Sequence, residues 1–381
     1  MSVRCKKLKE ITVIRTGKLD SNASVENGIY PFFTCDPLTL RIDTWAYDTE
    51  AVLLAGNNAS GNYTAKYYKG KFNAYQRTYI IESADKNLLN TRYLCYAINQ
   101  QLGLLKTMSS GSTTKFLTIR MLHDLDIPFP DITSQIKIAE IIGSYDDLIE
   151  NNQRQIKLLE EAAQRLYREW FVDLRFPGHE SIRIVDGVPE GWQKCTLNDV
   201  ISFNPKVSLS KTKQKEFIPM SALSTSSMII DKSEISATSH NSGSKFQNND
   251  TLLARITPCL ENGKTGFVFG INPEGAIGST EFIVMRSLKL NPYMVYLLAR
   301  TDDFRDTAIK SMTGSDGRQR AQVEKLKSYL YLLPTPFIIS KFEEVVKPLF
   351  IQIQNLNSQC ALLVEARDRL LPKLMSGEME V

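Results

Sequence analysis

Two eighteen-residue segments of this chain repeat one another at a distance of 204 positions. Residues 149–166 are IENNQRQIKLLEEAAQRL and residues 353–370 are IQNLNSQCALLVEARDRL, with nine of the eighteen positions identical. An internal repeat constrains a fold strongly, because both copies are expected to form the same element. The sequence therefore predicts one helical segment that occurs twice, with the remaining residues organised around the two copies.

Each copy has the hydrophobic spacing of a coiled coil. The apolar seam runs from Tyr145 to Trp170 in the first copy and from Leu349 to Leu374 in the second, in alternating steps of four and three residues. Asn152 and Arg367 are the polar residues in these seams, and Arg367 stands where the first copy has alanine. We expect the two helices to pair, since each offers the other an apolar stripe of equal length. The predicted helix-pairing residues are Ile149, Ile156, Leu159, Leu166, Ile353, Leu356, Leu363 and Leu370.

The direction of this pairing follows from the segment after the first helix. Residues 172–192, VDLRFPGHESIRIVDGVPEGW, contain two prolines and three glycines and predict a turn-rich connector. The first helix ends there and the chain must start a second module, which requires a return path. We therefore expect the helices to pack antiparallel.

The repeat extends into the segments upstream of each helix. The matching pairs are 52–56 with 251–255, 92–98 with 292–298, 109–116 with 312–319, and 125–131 with 331–337. Short β-branched and aromatic runs at 11–14, 77–82, 265–270 and 281–286 predict strands, and 90–101 and 292–311 predict a helix in each module. The chain is thus predicted to be a tandem duplication of an α+β module followed by a long helix.

Composition limits the function classes less than the repeat does. A length of 381 residues suggests two or three domains, and a net charge of +4 permits a nucleic-acid partner without arguing for one. The six cysteines form no Cys-x-x-Cys pair, which is typical of reduced thiols in a cytoplasm. The N-terminal residues lack the apolar stretch of a secretory signal, and no run of 18 apolar residues predicts a membrane span.

Catalytic motifs were sought and not found in the sequence. It contains no phosphate-binding loop, no dinucleotide fingerprint and no nucleophile elbow, and its three histidines lie at no metal-binding spacing. Asn291-Pro292-Tyr293 weakly resembles the Asn-Pro-Pro-aromatic motif of amino-methyltransferases, but it lacks the second proline and precedes a predicted helix. Pro130-Asp131 is better explained as a turn before the long helix, with Ser134 as the N-cap. We therefore expect no catalysis, no metal and no cofactor in this chain.

The loops of the two modules carry the residues suited to ligand binding. Asn side chains can contact adenine edges, Lys and Arg can contact guanine or phosphate, and glycine allows close approach of the backbone. The alternative is that these are ordinary surface loops, which are commonly rich in Gly, Ser and Asn. The candidate DNA-binding residues are Asn57, Asn58, Asn62, Tyr63, Lys66, Lys71, Arg77, Ser112, Thr113 and Lys115 in the first module, and Arg255, Thr257, Asn262, Lys264, Thr280, Ser315, Arg318 and Arg320 in the second.

Taken together, these segments resemble the specificity subunit of type I restriction–modification systems. The resemblance lies in TSQIKIAEIIGSYDDLIENNQRQIKLLEEAAQRLYREWF (133–171), in the connector, and in TLLARITPCLENGKTGFV (251–268) with GSTEFIV (278–284). It implies an α+β protein with two tandem target-recognition domains, separated by an antiparallel, coiled-coil-like helix pair in a pseudo-two-fold arrangement. The implied domains are 1–131 and 191–337 for target recognition, 132–172 and 338–381 for the helical spacers, and 173–190 for the connector.

The resemblance also implies partners. Each target-recognition domain would read one half of a split, asymmetric site on double-stranded DNA, and the helices would dock two methyltransferase subunits. S-adenosylmethionine, ATP and Mg would then belong to the methyltransferase and restriction subunits. The seam from Tyr145 to Trp170 spans about 40 Å, and one turn of B-DNA spans roughly 34 Å, so we expect half-site centres about one turn apart. A protein-interaction scaffold that binds no DNA is the alternative function.

Overall fold

The computed structural model describes residues 4–109, 115–210, 214–315 and 317–381. The chain divides into two compact units, each containing parts of both long helices. Unit 1 comprises Met1–Glu150 and Ala361–Val381, and unit 2 comprises Asn151–Cys360. No helix in the described ranges is long and apolar enough to cross a membrane. All six cysteines are free thiols.

Two long α-helices contain the repeated segments. They run from Ile132 to Tyr167, continued by a π-helical turn at Arg168–Val172, and from Pro336 to Ser376. The shorter α-helices are Leu8–Ile11, Thr91–Gln100, Leu102–Met108, Ile119–His123, Pro292–Ala299, Asp302–Lys310 and Val323–Lys327. Short 3-10 helices lie at Ser21–Ala23, His179–Ser181, Leu197–Asp199, Met220–Ala222 and Lys232–Glu234.

The first module is built on a six-stranded sheet. In spatial order its strands are Thr12–Thr16, Thr78–Ser83, Tyr47–Ala55, Ala65–Ala74, Tyr30–Phe33 and Leu40–Ile42. The strands are antiparallel except for the pairing of Tyr30–Phe33 with Ala65–Ala74. Small two-stranded sheets join Cys5–Lys7 to Asp126–Pro128 and Asn57–Asn58 to Lys115–Phe116.

The second module contains two four-stranded sheets. The first has the order Ile201–Phe203, Phe282–Ser287, Thr251–Ala254 and Thr265–Phe267, and the second has Ser236–Thr238, Lys215–Ile218, Ala276–Gly278 and Ser244–Phe246. Gln193–Thr196 pairs with Leu330–Leu333. The apolar strand Thr251–Ala254 is fully buried, as its near-continuous hydrophobic run predicts for a central strand.

Both modules share one frame, which confirms the tandem α+β duplication. Each begins and ends on a two-stranded antiparallel sheet, 5–7 with 126–128 and 193–196 with 330–333. In each, a helix with an asparagine N-cap packs on the central sheet: Asn90 accepts from the Tyr93 amide and Asn291 from the Met294 amide, both at 2.9 Å. Asn291-Pro292-Tyr293 is therefore a helix start, with proline at the first position where no amide is needed.

The predicted antiparallel packing of the long helices is confirmed within each unit. In unit 2, Asn152 donates to Gln359 at 3.3 Å, while Trp170, further along the first helix, contacts Phe342, which lies earlier in the second. In unit 1, Asp146 pairs with Arg367 at 2.8 Å, and Lys137 reaches the Val381 carbonyl. Residue numbers therefore rise on one helix as they fall on the other.

The helix-pairing residues named from the sequence lie in or beside this packing. Ile149, Ile156, Ile353 and Leu356 are buried, and Leu159, Leu166, Leu363 and Leu370 are half-buried. The two polar seam residues each find a partner. Asn152 is 7% exposed and also hydrogen-bonds the Cys360 thiol. Arg367, which the seam pattern leaves unexplained, is neutralised by the Asp146 carboxylate.

The start of the first long helix corrects one sequence prediction. Asp131, not Ser134, is the N-cap, because its carboxylate accepts from the Ser134 amide at 3.0 Å and from the Ser134 hydroxyl at 2.7 Å. Ser134 thus occupies the third helical position of the cap. These hydrogen bonds lower the pKa of the Asp131 carboxyl, which stays ionised at the positive end of the helix dipole.

The connector is ordered by aromatic packing and a tight hairpin. Phe176 is buried against Trp192, with ring centroids 5.0 Å apart. Ile184–Val185 pairs with Val188–Pro189 around Asp186 and Gly187, both of which have positive φ. An Asp-Gly pair suits such a turn, because both central residues adopt the left-handed region.

Glu160 of the first long helix anchors the second module through a buried carboxylate. It accepts from the Met228 amide at 2.7 Å and the Ser227 hydroxyl at 2.8 Å, and burial raises the pKa of its carboxyl. A raised folded-state pKa means that ionisation costs stability. That cost is absent at low pH, where the carboxyl is protonated in both states, and it grows as pH rises through the folded-state value.

We predict that Glu160→Gln, which keeps a carbonyl acceptor, raises the melting temperature at pH 7 relative to the parent chain. The difference should shrink as pH falls toward about 4.3, the usual value for glutamate. Calorimetric melting curves from pH 4 to 8 measure this, with Glu161→Gln as the control for loss of a neighbouring carboxylate. A variant less stable than the parent by the same margin at every pH would contradict the prediction.

Candidate nucleic-acid interface

In the first module, two loops that are far apart in sequence meet at one edge. Asn57 and Asn58, which follow the buried strand Tyr47–Ala55, pair with Phe116 and Lys115, and the Leu117 amide donates to the Gly56 carbonyl at 2.8 Å. The polar ends of both loops therefore form one surface. Ser112 and Thr113, also predicted here, lie outside the described residues.

Asparagine hydrogen bonds shape the 58–62 loop. Asn58 Oδ1 accepts from the amides of Ser60 and Asn62 at 2.9 and 3.1 Å. Gly61 has a φ of +73°, a conformation that glycine adopts without the steric cost of a side chain. Asn62 in turn accepts from Lys106 Nζ at 2.7 Å. The loop presents its amides in a fixed conformation beside a lysine.

Arg77 and Phe116 add a cation over an aromatic ring to the same edge. The Arg77 guanidinium lies 5.3 Å from the Phe116 ring centroid, and the Arg77 carbonyl accepts from the Gly56 amide at 2.8 Å. The backbone therefore holds Arg77 next to the 56–62 loop while its side chain stays exposed. An exposed guanidinium beside an aromatic ring is suited to phosphate or to guanine.

Three other predicted residues of the first module are placed differently. Tyr63 is only 5% exposed, and its hydroxyl is buried in the core without a hydrogen-bond partner. Lys66 donates to the Asp36 carbonyl and to Thr39 Oγ1, and burial lowers the pKa of its amine. Lys71 pairs in register with Asp48, at the far end of the sheet from the 56–62 loop, and lies over Trp45.

In the second module the equivalent loops are joined in the same way. The Thr257 amide donates to the Gln319 carbonyl at 3.1 Å, and the Gln319 amide donates back to Thr257 Oγ1 at 3.1 Å. The Ala321 amide also donates to the Arg255 carbonyl at 2.8 Å. The segment after the central strand and the Gly/Ser-rich loop thus form a single edge in both modules.

An ion pair dominates the electrostatics of this second edge. Arg320 donates to both carboxylate oxygens of Glu281 at 2.7–3.0 Å, and these hydrogen bonds raise the pKa of the guanidinium. Arg255, whose amide donates to the Glu281 carbonyl, has a buried Nε with no hydrogen-bond partner among the described residues. Lys264 donates to the Met220 carbonyl at 3.0 Å. The Glu281 carboxylate is therefore paired with Arg320, while Arg255 and Lys264 are held by backbone contacts nearby.

The remaining predicted residues of the second module lie on its surface. Asn262, Thr280, Ser315 and Arg318 are exposed. Arg318 and Ser315 belong to one turn, in which the Arg318 amide donates to the Ser315 carbonyl at 3.0 Å. Arg318 thus places an exposed cation beside the ion-paired Arg320.

Sequence reasoning missed two participants at these edges. Lys106 lies in the helix Leu102–Met108, just before the Gly/Ser-rich loop, and its position one turn ahead of that loop was the available signal. Glu281 follows Thr280 directly, but a carboxylate is a poor candidate for a phosphate surface, so pattern alone gave no reason to include it. Within the described residues, no group of three or more His, Cys, Asp or Glu side chains could hold a metal ion.

The fold and its two loop edges define a tandem, two-module protein whose modules each present amide and basic side chains. Residues 3–161 match the type I restriction modification DNA specificity domain. The chain is 36% identical over 209 residues to the type I restriction enzyme EcoDI specificity subunit of Escherichia coli. This alignment covers 55% of this chain and 44% of that protein. It is 27% identical over 295 residues to the MjaIX specificity subunit of Methanocaldococcus jannaschii, covering 73% and 66% respectively.

A solved structure agrees with these sequence matches. The type I restriction–modification S subunit from M. genitalium superposes with a TM-score of 0.61 at 14% identity, over 97% of this chain and 95% of that one, and so shares its fold. Over these matched segments the chain is similar in sequence to type I restriction–modification specificity subunits. It spans 44% and 66% of the lengths of the two relatives named above.

For the second module we predict that Arg318→Ala weakens binding to target DNA about tenfold, as expected for one lost charged contact. The slope of log affinity against log salt should fall by about 1, because one phosphate contact releases about one counterion. Fluorescence anisotropy on labelled duplex DNA measures both quantities. Lys289→Ala is the control, since this exposed lysine lies beyond the opposite end of strand Phe282–Ser287 from Glu281. Equal loss of affinity in both variants would remove Arg318 from the interface.

Proposed function

We propose that this chain is the DNA sequence-specificity subunit of a type I restriction–modification complex. Each module reads one part of a bipartite, asymmetric site on double-stranded DNA. The observation that carries the proposal is the loop edge repeated in both modules. In the first, Asn57 and Asn58 pair with Phe116 and Lys115; in the second, Arg255 and Thr257 bond the backbone on either side of Arg320. Amide and guanidinium groups fixed on a rigid sheet are suited to base edges in the major groove.

The two modules contribute different chemistry to the proposed reading. The first offers Asn58 and Asn62 with Arg77 and Lys106, and the second offers Arg255, Arg318 and the ion pair of Arg320 with Glu281. Asparagine pairs best with adenine, arginine with guanine, and glutamate with the cytosine amine. Different side chains at equivalent edges support two unlike half-sites, and hence an asymmetric target.

We further propose that catalysis resides on partner subunits. Methyltransferase subunits would bring S-adenosylmethionine, and restriction subunits, where present, would bring ATP and Mg. Such a complex works on cellular DNA, so we expect the chain in the cytoplasm. In this assignment the present chain supplies recognition and docking, and none of its residues takes part in the chemical step.

Exposed apolar residues on the long helices support two equivalent docking sites. Leu158 and Leu362, which correspond through the 204-residue offset, are 58% and 65% exposed. Leu158 stands two residues from Glu160, and two residues turn about 200° around an α-helix. It therefore points away from the module that Glu160 holds. Ile141 and Val345, a second pair at the same offset, are exposed as well.

The prediction is that Leu158→Glu and Leu362→Glu each remove one methyltransferase subunit from the complex, and that the double variant removes both. Burying a carboxylate in an apolar interface is costly, so the loss should exceed tenfold in affinity, roughly 1.4 kcal/mol or more. Native mass spectrometry of co-expressed subunits counts the partners. Leu330→Glu, at an exposed leucine outside the long helices, should leave the stoichiometry unchanged. Full complexes in all variants would place the docking surface elsewhere.

The DNA-binding proposal is tested by salt dependence. The assembled complex should bind its target with an affinity that falls steeply between 50 and 200 mM salt, by about 10³-fold or more for six phosphate contacts. A scaffold that binds no DNA would show no target-dependent affinity at any salt concentration.

A further inference from the structure

The two modules use different chemistry to contact the long helices at equivalent positions. Within unit 1 the contact is polar. Arg92 donates to Asp147 at 2.5 Å and to the Gly143 carbonyl at 3.0 Å, while the Tyr96 hydroxyl donates to Asp146 at 2.6 Å. Arg367 donates to the other oxygen of Asp146 at 2.8 Å.

These hydrogen bonds form one connected set around Asp146, which we call the polar docking contact. It consists of Arg92, Tyr96, Asp146, Asp147 and Arg367. Asp146 accepts one hydrogen bond from the Tyr96 hydroxyl of the module and another from Arg367 of the second long helix. Arg92 Nε also donates to the Tyr96 hydroxyl at 3.3 Å. The Asp146 and Arg367 side chains are about 30% exposed, so solvent screens the pair only in part.

Within unit 2 the equivalent positions are occupied by aromatic side chains and by one small side chain. The 204-residue helix offset relates Asp146 to Phe350 and Arg367 to Ala163, and the 200-residue module offset relates Tyr96 to Tyr296. Phe350 packs on the rings of Phe267, Tyr293 and Tyr296, with centroids 4.8–5.9 Å apart. Ala163 is buried, and Pro292 stands where the first module has Arg92. We call Phe267, Tyr293, Tyr296, Phe350 and Ala163 the aromatic docking contact.

We propose that these two contacts determine which module docks on which part of the helix pair. The repeated seams alone would accept either module at either position. A second module against Asp146 and Arg367 could offer the Tyr296 hydroxyl to Asp146, but it has Pro292 in place of Arg92 and so supplies no cation for Asp147. A first module against Phe350 would place the Arg92 guanidinium on an apolar surface, without the Asp147 carboxylate that pairs with it in unit 1. Both mismatches remove the pairing of Arg92 with Asp147, and the second also leaves the Arg92 guanidinium desolvated, which is costly.

The consequence goes beyond sequence recognition by either module. If each module is accepted at one position only, the order of the two half-sites along the DNA is fixed by residues that do not contact DNA. The five residues of the polar docking contact are then positioning residues, and a module from a related chain would be accepted only if it carried the matching surface.

Exchange of the modules within the full-length chain tests this directly. Each module begins and ends on a two-stranded antiparallel sheet, so segments 4–129 and 193–334 can be exchanged at neighbouring chain ends. One exchanged chain keeps the native helices. A second also carries Asp146→Phe, Arg367→Ala, Phe350→Asp and Ala163→Arg, which exchange the helix side of the two contacts. Amide hydrogen exchange of the helices Thr91–Gln100 and Pro292–Ala299 reports docking.

In the exchanged chain with native long helices, we expect the amides of Thr91–Gln100 and Pro292–Ala299 to exchange at least about tenfold faster than in the parent chain. In the chain that also carries the four substitutions on the long helices, we expect both segments to regain protection. Protection equal to that of the parent chain in the exchanged chain with native long helices would overturn the proposal. So would equal loss of protection in both exchanged chains, provided that they fold.

If neither exchanged chain folds, single substitutions in the chain with its native module order test the proposal. Arg367→Ala should speed amide exchange about tenfold in Thr91–Gln100 and leave Pro292–Ala299 unchanged, whereas Phe350→Asp should do the reverse. Arg369→Ala, at an exposed arginine on the same helix that pairs with Glu365, is the matched control. If Arg367→Ala behaves like Arg369→Ala, or loosens both segments equally, the contacts do not select modules.

Discussion

The antiparallel packing of two long helices from distant parts of the sequence is the interaction on which the rest depends. Each compact unit contains one module and a segment of both helices, so unit 1 requires Ala361–Val381, and unit 2 requires residues from Asn151 onward. Apolar seams that match in length make this pairing favourable, because each helix buries the stripe that the other exposes. Neither module has a complete set of helix contacts without both repeats.

The repeat made the architecture predictable from the sequence, because apolar spacing and element order survive divergence. Helix direction and the two α+β modules follow from local patterns, whereas the N-caps at Asn90 and Asn291 were not predicted. Arg367 could not be explained in that way, since its partner Asp146 lies 221 residues away on the other helix. A pattern within one helix contains no information about a charge that another helix supplies.

The loop edges were predictable in location but less so in detail. Glycine, amide and basic residues identified the segments of both edges, whereas the pairing of 57–58 with 115–116 was not predicted. Burial of Tyr63, the lowered pKa of Lys66 and the ion pair of Arg320 with Glu281 depend on tertiary neighbours, which composition does not reveal. The distinction between a reading side chain and a supporting one is therefore structural.

The central claim, that two unlike modules on a duplicated helical frame read two parts of one DNA site, is tested most directly by mapping adenine methylation genome-wide. Cells that express the methyltransferase with and without this chain should be compared by single-molecule sequencing. The account predicts a split, asymmetric motif, with half-sites about one helical turn apart, that disappears when the chain is absent. A continuous or palindromic motif, or methylation unchanged by loss of the chain, would contradict it.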